Sequence, residues 1–479
     1  MRNFRFPAAL IASVTLAALA ACSSGSAATS PPTVRAQALP SPRGTAAAWH
    51  QVTGRLAGAP YQIDLPVRWN HTLIIWSHGY EPGPYPPRVD DIEPVTRGWL
   101  LANGYAIAGS GFSSTGWAVA DAYRDQAALL GLFTDRYGKP RLTIAVGESL
   151  GGLISAGLVE RFPGRFSGAL PMCAPLGGGT RVWNQGLDAS FVLKTLLAPG
   201  SKLALVYLSN PGGNGALAQQ IITGALRTPA GRARLALAAA MFDLPPWFDP
   251  RRPEPSPVHL DQRAASLASW LGLGLAIGAS YGKTDLEQRA GGNPSWNTEV
   301  NYASELARSA DHADVVALYR SAGLDLTADL ATLNRAPRIH ADPSAAAYLH
   351  ATSDLTGHLR VPVLTLHAIG DGDVVIENEQ AYAQLTSQAQ TTPLLRQLYI
   401  GRAGHCTFTP AERIIALKTL ERRINTGHWT TLDPATLNHA ATALGPALNV
   451  LTETGDNTST APGPPAFTSY RPGPYLRPA

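Results

Sequence analysis

The sequence predicts an α/β fold, a mostly parallel central sheet with helices on both faces, interrupted by a large inserted helical segment. Three observations predict it. Short, continuously apolar runs alternate with segments of helical spacing in two separated blocks, the pattern of a parallel sheet covered on both faces. Between the blocks, over residues 176–360, the strand-like runs vanish and helical spacing takes over. The composition supports a large core: of 479 residues, 45% are apolar and 15% charged, which excludes wholesale disorder.

In the first block, Thr72-Leu73-Ile74-Ile75-Trp76-Ser77 is an apolar run without polar alternation, as a strand buried on both faces requires. Gly104 to Gly109 is the second run. Ala118 to Tyr137 has helical spacing, with Ala122, Leu129, Leu130, Leu132 and Phe133 as candidate core. Arg141 to Val146 is the third strand, followed by a helix from Leu150 to about Phe162, and Phe166 to Cys173 is the fourth. The second block begins with a strand over Val361 to His367. It continues with a helix from Asn378 to Leu385, a strand over Leu395 to Ile400, and a helix opening at Thr409. Thr409, Pro410 and Glu412 form a capping box, with the acid three residues after the cap. In the insertion, helices are expected over Leu187–Leu197, Ala216–Asp243, His259–Gly278, Asn297–Gly323 and Leu326–Leu333. Trp183, Trp247, Trp270 and Trp296 also fall there. The division expected is 49–175 for the first core block, 176–360 for a lid-like insertion, 361–453 for the second block and 454–479 for a Pro/Gly-rich tail that packs as an extended strap.

The N-terminus reads as an address. Arg2 and Arg5 precede an apolar stretch from Pro7 to Ala21, shorter than the about 20 residues that span a bilayer and shaped like a secretory signal. Its end, Leu19-Ala20-Ala21-Cys22, resembles the bacterial lipoprotein cleavage box. The resemblance implies removal of residues 1–21, lipidation of Cys22, and anchoring to the outer face of the membrane; the alternative is an ordinary signal peptide and secretion. Two or three acyl chains anchor stably where one is marginal. Residues 22–48 are then a flexible tether. No later run reaches about 18 apolar residues, so no membrane span is expected.

Lys plus Arg is 38 and Asp plus Glu is 34, a net charge of +4, without any basic run; no nucleic-acid partner is expected. Three cysteines exclude a disulfide-rich scaffold and a four-cysteine zinc site. No H-E-x-x-H motif or Cys/His cluster occurs, so neither a metal nor another cofactor is expected. Gly109-Ser110-Gly111 with Gly116 has the wrong spacing for a dinucleotide loop. Asn70-His71-Thr72 and Asn457-Thr458-Ser459 match the glycosylation pattern by chance.

The chemistry concentrates in Gly147-Glu148-Ser149-Leu150-Gly151-Gly152. This G-x-S-x-G run follows a strand and opens a helix, the context in which a serine is lifted above the sheet on a strained turn. Here the chain resembles the α/β-hydrolase superfamily, and the insertion segments Leu187-Asp188-Ala189-Ser190-Phe191 and Gly291-Gly292-Asn293-Pro294-Ser295-Trp296-Asn297 loosely resemble secreted bacterial serine esterases and prolyl-oligopeptidase relatives. The resemblance covers roughly residues 53–175 and 361–425. It implies a Ser-acid-His order in the chain. Gly370-Asp371-Gly372-Asp373-Val374-Val375 matches the acid loop, and its G-x-x-D-x-V spacing selects Asp373; Asp371 is the alternative, otherwise a turn-capping residue. Gly404-His405 matches the family's Gly-His loop. The implied catalytic set is Ser149 as nucleophile, His405 as base and Asp373 as its partner. His78-Gly79-Tyr80 implies backbone oxyanion donors at Tyr80 and Leu150. The His78 side chain and His367 are expected to be structural, and Glu148 either tunes His405 or contacts the lid.

Cys173 ends the strand after the nucleophile helix and Cys406 follows the catalytic histidine; in this fold both lie at the carboxyl edge of the sheet. With Cys22 lipidated, an even pair remains in an oxidising compartment, and a Cys173–Cys406 disulfide is expected, with two free thiols as the alternative. The His-Cys pair resembles fungal tannases and feruloyl esterases, but their partner position, just before the nucleophile, is Glu148 here. The expected activity is hydrolysis of a small carboxylic ester, with a serine peptidase or aminopeptidase on a short peptide as the second reading and a non-catalytic binding lipoprotein as the third. A free amine would need acids in the lid, for which Asp188, Asp285 and Glu287 are the candidates.

Overall fold

The computed structural model describes residues 49–452 and 460–477. Residues 1–21, the lipidation candidate Cys22, the tether 22–48 and the second sequon lie outside the described residues. The chain opens with an antiparallel hairpin, β1 (Trp49–Leu56) and β2 (Ala59–Pro66), that the sequence reading did not anticipate. β3 (Thr72–Ser77) is buried along its whole length. Then follow α1 (Pro94–Ala102), β4 (Ala106–Ser110), α2 (Val119–Tyr137), β5 (Leu142–Glu148), α3 (Leu150–Arg161) and β6 (Gly168–Met172).

Between β6 and β7 (Val363–Gly370) every regular element among the described residues is helical. They are α4 (Gly179–Val192), continued by a wider turn at Leu193–Leu197, α5 (Pro211–Ala225), α6 (Pro229–Ala240), α7 (Leu260–Gly278), α8 (Tyr281–Ala290), α9 (Tyr302–Arg308), α10 (His312–Ala322), α11 (Leu326–Arg335) and α12 (Pro343–Ser353). Two expected long helices are each broken in two. Thr228 caps α6 through Gly231 N with Pro229 in the first turn, so α5 cannot run through; Ser309 ends α9 in an extended conformation before α10. After β7 come α13 (Glu377–Gln388), β8 (Leu395–Ala403), α14 (Pro410–Thr426), α15 (Pro434–Thr442) and the short strands β9 (Val450–Thr452), β10 (Thr460–Pro462) and β11 (Phe467–Thr468).

Nine strands form one sheet in the order β1-β2-β4-β3-β5-β6-β7-β8-β11. Pairing is parallel from β4 through β8 and antiparallel at both edges. This crossover order, with β5 central and helices on both faces, is that of the α/β-hydrolase fold. Two apolar clusters fill the two faces of the sheet, one around α2 and α3 and one around α1 and α14. A third, centred on the Ala-rich α6, forms the core of the insertion.

The C-terminal segment joins sheet and insertion. Phe467 pairs with Ile400 at the β8 edge, while Tyr475 packs into the insertion core. Arg477, itself buried, reaches Asp188 of α4 at 3.2 Å. No single helix among the described residues is long and apolar enough to cross a membrane.

Candidate active site

Ser149 stands between β5 and α3 with φ 56° and ψ −127°, a left-handed conformation that costs a non-glycine residue about 1–3 kcal/mol. The flanking glycines make the turn possible. A Cβ at Gly147 would lie 2.2 Å from Gly151 O, and one at Gly151 would lie 2.0 Å from Ser77 O. Ser149 N donates to Met172 O at 3.0 Å, which ties the elbow to the end of β6.

His405 follows β8. Its Nδ1 is 2.8 Å from Asp371 Oδ2, and its Nε2 faces Cys406 Sγ at 3.4 Å and Asp373 Oδ2 at 3.9 Å. The spacing rule selected Asp373 as the histidine's partner; the structure puts Asp371 there instead. The reason is strand length. β7 runs to Gly370, three residues past the expected end at His367, and Gly404 N donates to Gly370 O at 3.1 Å. The first residue off the strand therefore meets the His405 loop, and Asp373, two further, is carried to the other side of the ring. Asp371 also caps the turn: its Oδ1 accepts from Asp373 N and Val374 N, both at 3.0 Å. Asp371 thus serves as the histidine's partner through Oδ2 and as the turn cap through Oδ1. Among the described residues no hydrogen bond joins His405 to Ser149 Oγ; such contacts often tighten only when substrate is bound.

Burial lowers the proton affinity of His405, but the charge and hydrogen bond of Asp371, reinforced by Asp373 and Glu148, outweigh it and push the imidazole up to about 9. Glu148 is held by Arg413 of α14, Nε to Oε1 at 2.7 Å. Arg413 also donates to Phe408 O at 2.5 Å and Cys406 O at 3.3 Å, clamping the histidine loop against the elbow. The sequence reading missed Arg413; its only signal was a basic residue one turn into the helix after the histidine. The capping box at Thr409 and Glu412 is formed, and Glu412 also takes Arg402 in a buried bidentate pair at 2.9 and 3.1 Å.

Cys173 and Cys406 form a disulfide and tie the end of β6 to the histidine loop. Both have positive φ, 45° and 53°. Their sulfurs and a His405 nitrogen lie within 4.8 Å of one another, but the disulfide takes both thiolates that a metal would need. His78 is buried, stacks on Phe112 with centroids 4.1 Å apart, and points Nδ1 at Gly79 O. His367 is fully buried between Glu379 and Val374 O. Both are built into the scaffold.

A cavity of about 140 Å³ is lined by Ser149, Leu150 and Tyr80 together with Trp183 of α4 and Trp270 of α7. Leu150 and Tyr80, the implied oxyanion donors, thus share a wall with the serine. A Cβ at Gly372 would fall 2.3 Å from the Trp270 ring, so glycine there lets the insertion seat directly on the acid loop. The three acids named for holding an amine are engaged elsewhere. Asp188 pairs with Arg477, Asp285 accepts from Trp117 N and Arg289, and Glu287 accepts from Tyr207 N.

No protein-family model matches the chain. The chain is 32% identical over 425 residues to the o-phthalyl amidase of Xanthobacter agilis, covering 81% of this chain and 89% of that one. Similar solved structures include an esterase from Aspergillus oryzae, at 14% identity and TM-score 0.37 over 80% of each chain. They also include the Pyrococcus horikoshii acylaminoacyl peptidase, at 8% identity and TM-score 0.37 over 81% of this chain and 44% of that one. With a relative this similar along most of both chains, and with the strand order and nucleophile elbow described above, the protein belongs to the family of the o-phthalyl amidase, serine hydrolases of the α/β-hydrolase superfamily.

Proposed function

We propose that the protein is an exported serine hydrolase that cleaves carboxylic esters and amides with a small apolar or aromatic acyl group. The observation that carries this reading is the cavity lined by Ser149: at about 140 Å³ it is close to the size of an apolar cavity that accepts one benzene ring. In this reading His405 takes the Ser149 proton as the oxygen attacks the carbonyl carbon. Asp371 holds the imidazole tautomer and stabilises the cation. The backbone N–H groups of Leu150 and Tyr80 receive the oxyanion. The proton passes from His405 to the leaving alcohol or amine, and water repeats the sequence on the acyl-enzyme. The ester was the expectation from sequence; the amidase relative gives the amide equal weight, and a peptidase on the same residues is the second reading. The insertion acts as a lid that sets the acyl pocket. Export through residues 1–21 and lipidation at Cys22 agree with a disulfide that persists in oxidising compartments.

The test assays p-nitrophenyl esters and matching 4-nitroanilides of acetic, butyric and benzoic acids, with fluorophosphonate labelling in parallel. Turnover and labelling that both disappear in Ser149→Ala support the reading. A folded wild-type protein that is neither active nor labelled refutes it and returns the binding-module interpretation.

A further inference from the structure

The cavity has two chemically different ends, and α7 spans them. At one end Trp270 seats on the acid loop, where a Cβ at Gly372 would lie 2.3 Å from its ring. At the other, a Cβ at Gly282 of α8 would lie 2.5 Å from Ile277 Cγ2 and 3.1 Å from the Tyr80 hydroxyl. Trp270 and Ile277 both line the cavity, and the stretch of α7 between them is about 10 Å long at the helical rise. The leaving group departs at the acid-loop end, because the Nε2 of His405 that must protonate it is on the side of Asp373. The acyl group then extends toward the α8 end.

That end holds hydrogen-bond donors without acceptors. Trp183 lines the cavity and is 8% exposed, yet its Nε1–H has no partner among the described residues. Its ring packs edge-on against Trp117, with centroids 5.5 Å apart, and Trp117 N donates to Asp285 Oδ2 of α8 at 2.8 Å. Tyr80 lines the cavity as well, and its hydroxyl makes no hydrogen bond among the described residues. Burial and the charge of Asp285 push that hydroxyl up to about 12, so it keeps its proton. The other two indoles of the wall are already engaged: Trp117 Nε1 donates to Ser353 Oγ at 2.9 Å and Trp270 Nε1 to Trp247 O at 3.0 Å. Native interiors pair nearly all of their buried polar groups. Two idle donors at one end of a substrate cavity point to an acceptor that arrives with the substrate.

We propose that Trp183 and Tyr80 are specificity-determining residues that read an oxygen acceptor on the acyl group, so that the preferred substrate is an ester or amide of an aromatic acid whose ring carries a second carbonyl or carboxylate oxygen. The proposal rests on the serine-hydrolase reading above and names its acyl group. A plain benzoyl ring fills the same space but strands both donors, and a buried donor left without its acceptor keeps the full cost of its lost hydration. A ring bearing an acceptor returns those bonds. Ketone and carboxylate oxygens both offer the lone pairs that an N–H and an O–H require. A carboxylate is not repelled there, because Asp373 stands at the opposite end of the cavity.

The test crosses substrates with variants of the full-length protein. The substrates are 4-nitroanilides of benzoic acids that carry acetyl, carboxylate or isopropyl at the ortho, meta or para position; isopropyl has the shape of acetyl without its acceptor. The expected result is that, at one ring position, Tyr80→Phe and Trp183→Phe each lower kcat/KM for the acceptor-bearing rings about five- to tenfold more than for the isopropyl ring. The readout is this ratio, which a general loss of packing or of catalysis does not move. Equal losses on the acceptor-bearing and isopropyl rings at all three positions overturn the proposal. If Trp183→Phe does not fold, Tyr80→Phe, which loses a single oxygen atom, decides alone. Fluorophosphonate labelling of Ser149 in the same preparations reads the hydrolase assignment separately. Should no anilide turn over, calorimetric binding of the matching benzamides gives the same ratio, so failure of one reading is distinguishable from failure of the other.

Discussion

Exchanging each of the two acid-loop carboxylates for its amide tests the site most sharply. In the structure Asp371, at 2.8 Å from Nδ1, is the direct partner of His405, while Asp373 is 3.9 Å from Nε2. An imidazole held at about 9 instead of 6.5 binds its proton about 3 kcal/mol more tightly. Asp371 is the largest contributor to that rise. Losing most of it removes on the order of 100-fold from a step that forms imidazolium. An asparagine also favours the wrong tautomer, and the same exchange in a serine-protease triad costs ~10⁴ in kcat. Asp371→Asn is therefore expected to lower kcat by ~10³–10⁴ with the fold intact, whereas Asp373→Asn, which removes no hydrogen bond from the imidazole and a smaller part of its charge stabilisation, should cost far less. The assay is steady-state hydrolysis of a p-nitrophenyl ester, with circular dichroism confirming that both variants fold. If Asp373→Asn loses the larger factor and Asp371→Asn stays within tenfold of wild type, the assignment from geometry is wrong and the spacing rule was right.

Because the base works only as neutral imidazole, kcat/KM should rise with pH toward a plateau above about 9 and fall as acid protonates His405; Glu148→Gln should move the midpoint down, and a midpoint near the ordinary histidine value in wild type would contradict the electrostatics. The disulfide spans 233 residues, and restricting a loop of that length in the unfolded chain is worth about 5 kcal/mol in the chain-entropy model, so Cys173→Ala with Cys406→Ala should lower the melting temperature clearly; an unchanged melt would show that the bond constrains little. Arg477→Ala leaves Asp188 buried without its cation, an expected loss of about 3–5 kcal/mol in denaturant unfolding, and Asp188→Asn in the same chain should recover part of it.

Much of the scaffold was legible because a sheet buried on both faces writes continuous apolar runs. β3 was anticipated to the residue, and the Thr409 capping box fixed the start of α14. The β1–β2 hairpin was not legible, since β1 at the sheet edge alternates between exposed and half-buried and never forms such a run. α8 is largely polar and has only Leu286 as a large buried apolar side chain, so periodicity gave no sign of it. Ser149 and His405 followed from local motifs. The choice between Asp371 and Asp373 did not, because it depends on where β7 stops, and strand ends are set by pairing with β8 and not by the strand's own sequence. The cavity was legible only as an abundance of tryptophan in the insertion, since Trp117 and Tyr80 reach it from the sheet side.

The bond between Cys173 and Cys406 also defines a covalent ring. The chain between them holds the whole insertion, β7, the acid loop and His405, while Ser149 lies on the arm outside it. With the bridge intact, a peptidase that cuts the exposed stretch 251–259 opens the ring but frees nothing. Nucleophile and base stay on one molecule until the bridge is reduced. In a reducing compartment the same cut would leave two chains, with Ser149 on one and Asp371 and His405 on the other.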